Sequence, residues 1–265
     1  MTLSSIGLIQ GRLFPKYIDQ LQVFPDKTWK KEINILREIG FDYIELLWDK
    51  KKSIKQIWEI QDQILLHSKI QAHSICLDSI TFKNTSNSII NEIDDVIRTF
   101  GKKTPSILVI PLLSKAGINS FGKLKDFIAN VNMHNVMKSI KEYNIKLAIE
   151  IDMPSSHVLD ALNFDKSGLI GVCIDSGNLW NYSESPTKDI LTLSEKVIHV
   201  HIKDKDSIGN NVMLGKGLVK FNEFFKALIE IGYSKNMTLE TKYFKDPIVE
   251  AKNNLQYILA ILSKL

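Results

Sequence analysis

Only two cysteines occur in the 265-residue chain, Cys76 and Cys173, each inside an apolar, strand-like run. That usage suits small buried core thiols in a reducing compartment better than a disulfide framework. No apolar run approaches the roughly 18 residues that a membrane-spanning helix needs, so no membrane association is expected. Residues Met1 to Gly11 show no basic region followed by a sustained apolar stretch and a small-residue cleavage site. A secretory signal is therefore not expected, and a cytoplasmic protein is. An excess of one charge is lacking too. The 34 basic and 30 acidic residues, formally +4, are scattered along the whole chain, which gives no concentrated footprint for nucleic acid and mildly favours an anionic substrate. Ordinary glycine and proline counts and a 24% charged fraction argue against disorder and collagen-like repeats. No linker, low-complexity tract or domain boundary is visible.

What is present is alternation. Eight short apolar runs read as strands: Ile6 to Ile9, Tyr43 to Trp48, Ala72 to Leu77, Ile107 to Leu113, Leu147 to Ile151, Gly171 to Ile174, Val197 to Ile202 and Met237 to Leu239. Helix-period stripes lie between them. The first has Asp26 as N-cap, Trp29, Ile33, Leu36 and Ile39 on one face, and Gly40 as its stop. Others span Ile54 to His67, Ile89 to Phe100, Phe121 to Tyr143, Asn222 to Ile231 and Pro247 to Leu262, while those after strands five and six look short. Eight βα units in this length, with 44% hydrophobic residues, predict an α/β fold: a (β/α)8 TIM barrel folding as a single domain over residues 1–265. An open doubly wound sheet is the structural competitor. The glycine fingerprint of a dinucleotide fold is missing, because Gly7 and Gly11 have the wrong spacing and no third glycine follows.

Residues two apart in a strand share a face. If Leu147, Ile149 and Ile151 face the helices, Ala148 and Glu150 point into the barrel. The same parity turns Cys173 and Asp175, His199, His201 and Lys203, and Thr238 and Glu240 inward. Four successive strands thus end in an inward ionisable residue near the C-terminal mouth, where such barrels do their chemistry. Carboxylates there are costly unless paired or ligated. One divalent metal ion on Glu150, Asp175, His201 and Glu240 resolves the problem. The oxygen-rich set suits Mn²⁺ or Mg²⁺, with Zn²⁺ or Co²⁺ acceptable. The competing reading is a buried ion-pair network without metal.

These residues also carry a resemblance. Ile6-Gly7-Leu8-Ile9-Gln10-Gly11-Arg12-Leu13, Gly40-Phe41-Asp42-Tyr43-Ile44-Glu45, Glu150-Ile151-Asp152-Met153-Pro154, Asp175-Ser176-Gly177-Asn178, His199-Val200-His201-Ile202-Lys203-Asp204, Leu214-Gly215-Lys216-Gly217 and Leu239-Glu240-Thr241 resemble the xylose-isomerase-like barrels of sugar-phosphate isomerases and epimerases, which include ketose 3-epimerases. The resemblance runs over nearly the whole chain. It implies a metal held by Glu150, Asp175, His201 and Glu240, with Glu150 and Glu240 doubling as the catalytic acid/base pair. Some ketose 3-epimerases of this fold carry a histidine three residues after the aspartate and an arginine six after the metal histidine. Here those positions are Asn178 and Ser207, so their substrates do not transfer directly. The pattern looks more like members acting on phosphorylated or nucleotide-pathway sugars.

The reaction expected is proton transfer through an enediolate on a small-molecule sugar or sugar phosphate, with no organic cofactor. Two glutamates allow epimerisation; one shuttling between adjacent carbons gives aldose–ketose isomerisation. Substrate-binding candidates are Arg12, Glu45, His73, Asn178, Lys203 and Lys242. Arg12 grips a phosphate or carboxylate, or makes a structural salt bridge. Lys203 and Lys242 share inward parity with the site, or are solvated. Glu45 and His73 reach the site only if strands two and three are shifted by a few residues. His199 sits one layer below His201. The loop Asp204 to Gly217 has the make-up of a lid, and Trp48 and Trp180 lie where they would wall a sugar pocket. The alternative reading is a metal-dependent dehydratase of a cyclic polyol ketone or shikimate-like ring. A remote one, an abasic-site endonuclease on the same barrel, needs more histidines at the mouth than six scattered ones supply. Homo-oligomerisation is left open.

Overall fold

The computed structural model describes residues 5–14, 24–25, 27–49, 70–83, 85–113 and 116–265. Eight parallel strands close into a barrel: β1 (Ile6–Ile9), β2 (Tyr43–Leu47), β3 (Gln71–Cys76), β4 (Ile107–Pro111), β5 (Lys146–Glu150), β6 (Ile170–Asp175), β7 (Val197–Ile202) and β8 (Met237–Leu239). Three coincide with the runs read from sequence, β2 and β4 end one and two residues earlier, and β3, β5 and β6 differ by one residue at each end. Closure comes from β1 pairing with β8 in register Ile6/Met237, Gly7/Thr238 and Leu8/Leu239, which rules out the open sheet. Gly7 is required there, because a Cβ would lie 2.4 Å from the Tyr43 ring.

Strand parity sorts the side chains into two cores. Leu147, Ile149, Val172, Ile174, Val200 and Ile202 pack outward under the helices. Ile9, Cys76, Ile107, Val109, Ala148, Cys173 and Ile198 form a separate apolar cluster that fills the lumen. Both cysteines are free and buried there.

Among the described residues the α-helices are α1 (Trp29–Ile39), α2 (Ser86–Phe100), α3 (Phe121–Met133), α4 (Val136–Glu142), α5 (Ser155–Leu162), α6 (Ser176–Tyr182), α7 (Pro186–Leu193), α8 (Phe221–Glu230) and α9 (Pro247–Leu262). Among the described residues, no helix is long and apolar enough to cross a membrane. Helix α1 stops at Gly40, whose φ of 109° puts it in the left-handed region. Its N-cap position is Thr28; Asp26, expected there, and the stripe Ile54 to His67 lie outside the described residues. The single helix expected over Phe121 to Tyr143 is two. His134 is extended (φ −80°, ψ 149°), and its Nδ1 accepts from Val136 N at 3.1 Å, so a side chain takes over a donor that continuation of the helix would have used.

Glu32 on α1 fixes the loop after β1. Fully buried, it accepts from Gly11 N and Leu13 N, both at 2.9 Å, and so holds the backbone on either side of Arg12. Burial pushes its carboxyl up from 4.5 to about 7, against the opposing pull of those amides and Arg12. A carboxyl raised in the folded state contributes stability that is fully present below pH 4.5 and lost as the pH climbs through about 7. The difference corresponds to about 3 kcal/mol. Glu32→Gln removes that slope while losing one acceptor, so denaturant midpoints of the variant should vary less than those of the native chain between pH 4.5 and 7. Parallel profiles would show that Glu32 does not titrate in this range.

Candidate active site

Glu150 ends β5, Asp175 ends β6, His201 lies in β7 and Glu240 follows β8 directly, so barrel closure alone brings four strand ends together. One ligand atom from each lies within 4.8 Å of the others, and all four residues are buried. His201 Nδ1 is 3.1 Å from Glu240 Oε2 and 3.7 Å from Glu150 Oε2. Lys203 Nζ stands 3.0 Å from Asp175 Oδ2 and 3.3 Å from Glu240 Oε2, and Arg12 lies 3.7 Å from Glu240 Oε1.

The segment Asp175-Ser176-Gly177-Asn178 organises this cluster. Asp175 Oδ1 caps α6 by accepting from Asn178 N at 2.6 Å. The capped helix aims Asn178 Nδ2 at Glu150 Oε1, to which it donates at 2.6 Å. Ser176 Oγ donates to the Lys203 carbonyl at 2.7 Å and accepts from Lys203 N at 3.0 Å. Gly177 leaves room for the Lys203 stem, since a Cβ would lie 2.9 Å from Lys203 Cγ.

Behind the cluster, Glu45 is entirely buried and takes His201 Nε2 at 2.8 Å on one oxygen and His199 Nε2 at 2.7 Å on the other. Ser74 Oγ and Thr238 Oγ1 also donate to it, at 2.5 and 3.2 Å. With Nε2 committed to Glu45, Nδ1 is the His201 nitrogen that faces the carboxylates.

Burial pushes the Glu150 carboxyl up to about 7, opposed by Lys203 and reinforced by Asp175 and Glu240. Asp175 is raised by burial as well. For Glu240 burial is outweighed by Lys203, His201 and Arg12, which hold it below the usual carboxylate range. His201 is raised despite burial by Glu45 and Glu240. Burial would also raise Glu45, but His201 and His199 hold it well below its ordinary value.

The donor set fits a divalent cation. His201 Nδ1 and Asp175 Oδ2 are buried inside the cluster without a well-directed hydrogen bond, although Glu240 and Lys203 respectively stand at ion-pair distance. Three carboxylates with one imidazole match oxygen-seeking ions or zinc.

Residues 123–261, just over half of the chain and the half that carries all four cluster residues, match the family model described as xylose isomerase-like TIM barrel. The chain belongs to that family. It is similar to the L-ribulose-5-phosphate 3-epimerase UlaE of Salmonella heidelberg (strain SL476), with 21% identity over 226 residues, 78% of this chain and 80% of the relative. Among solved structures, the IOLI protein with a bound zinc atom superposes with a TM-score of 0.73 at 17% identity, covering 98% of this chain and 97% of that one. The probable 3-DHS dehydratase AsbF of Bacillus anthracis gives 0.71 at 15%, covering 98% of both. At those identities the structural likenesses show the fold alone.

The other sequence candidates scatter. Arg12, Asn178 and Lys203 stand against the cluster. Glu45 lies beneath it, without any shift in the reading of β2. Lys242 is half-buried, its Nζ 5.7 Å from the Phe244 ring centre. His73, near the start of β3, does not reach the cluster: β2 pairs Ile44 with Ala72 but Glu45 with Ser74, so Ser74 takes the place against Glu45 and His73 is the extra residue of a bulge, lining a cavity toward the N-terminal end. Trp48 is buried and donates to Glu92 Oε1 at 2.5 Å, and Trp180 packs edge-on against Phe224. The lid loop is tied down at its base. Asp204 and Lys205 form a ribbon with Asn211 and Val212, and buried Asp204 accepts from Gly215 N, Gly217 N and Val219 N.

Proposed function

We propose that the protein is a metal-dependent sugar or sugar-phosphate epimerase or isomerase that works by proton transfer through an enediolate. The observation that carries this reading is the convergence of Glu150, Asp175, His201 and Glu240 at the barrel mouth. An ion on these four residues supplies Lewis-acid polarisation of a ketose carbonyl and its neighbouring hydroxyl. Glu150 and Glu240 each turn one oxygen toward the cluster and the other away, to Asn178 Nδ2 in one case and to the Arg12 guanidinium in the other. One glutamate therefore takes the C–H proton from one face, and the other returns a proton to the opposite face, which inverts the carbon. Lys203 orients a substrate oxygen, and Arg12 offers charge to a phosphate. The likeness to the L-ribulose-5-phosphate 3-epimerase of Salmonella heidelberg puts a phosphorylated ketopentose first among substrates to try.

The test is deuterium uptake from heavy water into a panel of free and phosphorylated ketoses, followed by mass spectrometry with Mn²⁺ and after chelation. Label at carbon that disappears with the metal is the expected result. A new ultraviolet-absorbing product from a cyclic polyol ketone, without exchange into any ketose, would move the assignment to a dehydratase.

A further inference from the structure

At the N-terminal end of the barrel, opposite the cluster, lies a cavity of about 360 Å³ whose wall includes His73, Ile198, Asn144, Asn236, Lys146 and Lys235. Two irregularities shape it. His73 is the extra residue where β3 bulges against β2, and Ile198 is the extra residue where β7 bulges against β6, between the pairs Val172/Val197 and Cys173/His199. Bulges re-aim side chains, and both extra residues line this cavity. Lys146 opens β5 and Lys235 comes just before β8; Lys235 Nζ donates to the Val197 carbonyl at 2.8 Å. Neither lysine has a carboxylate partner among the described residues, and no lining residue is acidic. Partial burial and the charge on Lys146 both push the Lys235 ammonium below its ordinary value, the mark of two like charges near one cavity without a counterion. His73 is lowered to about 4 by burial and by His199, so at neutral pH it brings no third charge, only a neutral ring.

We propose that this cavity binds a small doubly charged oxyanion of the phosphate type, either free or as the terminal group of a small metabolite. Lys146 and Lys235 neutralise its charge, and Asn236 and Ser106 line the same wall with neutral hydrogen-bonding groups. Because the strands run away from this face, the site is separate from the one proposed for catalysis and stands whether or not that assignment holds.

The experiment is calorimetric titration of the full chain with inorganic phosphate and with glycerol phosphate, at constant ionic strength set with chloride. Saturable binding is expected, weakened about tenfold or more in Lys146→Gln and in Lys235→Gln and kept in Lys235→Arg. Circular dichroism checks that each variant is folded. Binding of both probes identifies the terminal phosphate group as sufficient; binding of inorganic phosphate alone identifies the free ion. Either supports the site. An absence of binding in the native chain, or binding that both glutamine variants retain, overturns it.

Discussion

In heavy water with Mn²⁺, Glu150→Gln and Glu240→Gln should each lose about 10²- to 10⁴-fold in the rate of deuterium uptake into ketose, the usual scale for removing a positioned proton-transfer group. The two variants should diverge in stability when both are stripped of metal. Glu150 takes a hydrogen bond from Asn178 at 2.6 Å, and its one cationic neighbour within 4 Å among the described residues, His201 at 3.7 Å, keeps Glu45 at 2.8 Å and Glu240 at 3.1 Å, so a neutral isostere there strands no cation. Glu240 stands within 4 Å of three cations, with His201 at 3.1 Å, Lys203 at 3.3 Å and Arg12 at 3.7 Å. Neutralising it removes the carboxylate that all three share, leaving Asp175 against Lys203, Glu45 and Glu150 against His201, and Asp78, which interacts with Arg12 and Lys203, as remaining acids around them. The expected cost is about 3 kcal/mol, the lower end of what breaking a buried ion pair costs. Thermal denaturation in chelator reads this directly. The same measurements separate a catalytic cluster from a structural ion-pair network, in which both glutamates would be needed for stability and neither for exchange. Unimpaired exchange in either variant would remove that glutamate from the acid/base pair.

The four cluster residues were legible in the sequence because strand parity is a local property. Alternation fixes which face Glu150, Asp175, His201 and Glu240 take, and the end of each apolar run fixes their height. Glu45 was legible as a residue of β2 but not in what it meets. Its bonds to His199 and His201 depend on how far strands distant in sequence are staggered in the closed barrel, and nothing in Tyr43 to Trp48 encodes that stagger. His73 shows the same limit. It lies near the start of β3, and the bulge between Ile44/Ala72 and Glu45/Ser74, which no local pattern announces, gives the place against Glu45 to Ser74. The break at His134 was readable and was overlooked. The stripe Leu124, Phe127, Ile128 and Val131 loses its phase at Val136, five residues on, and resumes through Met137 and Ile140 on a different face, while the bond from Val136 N to the imidazole forms only once the turn exists.

Glu45→Gln should weaken Mn²⁺ binding by about 10- to 100-fold, the range found when a carboxylate that orients a ligating histidine is changed. The carboxylate accepts from both imidazoles, one on each oxygen. A glutamine amide offers one acceptor and one donor, so it must turn its NH₂ toward either His199 or His201. The histidine facing that NH₂ has to move its proton from Nε2 to Nδ1. If that histidine is His201, the nitrogen that faces Glu150 and Glu240 no longer has a lone pair to offer; if it is His199, the Thr238 hydroxyl 3.2 Å from its Nε2 has to rearrange. Glu45→Ala is the less informative variant, because it strips partners from two buried imidazoles, Ser74 and Thr238 at once and endangers the fold. Two readouts on the glutamine variant separate orientation from mere stability: calorimetric Mn²⁺ titration and the nitrogen chemical shifts of the His201 ring. A purely structural Glu45 would lower the melting temperature and leave both unchanged. A role in presenting His201 requires the affinity and the ring-nitrogen shifts to change together, and the fall in exchange rate at limiting Mn²⁺ to be recovered at saturating Mn²⁺.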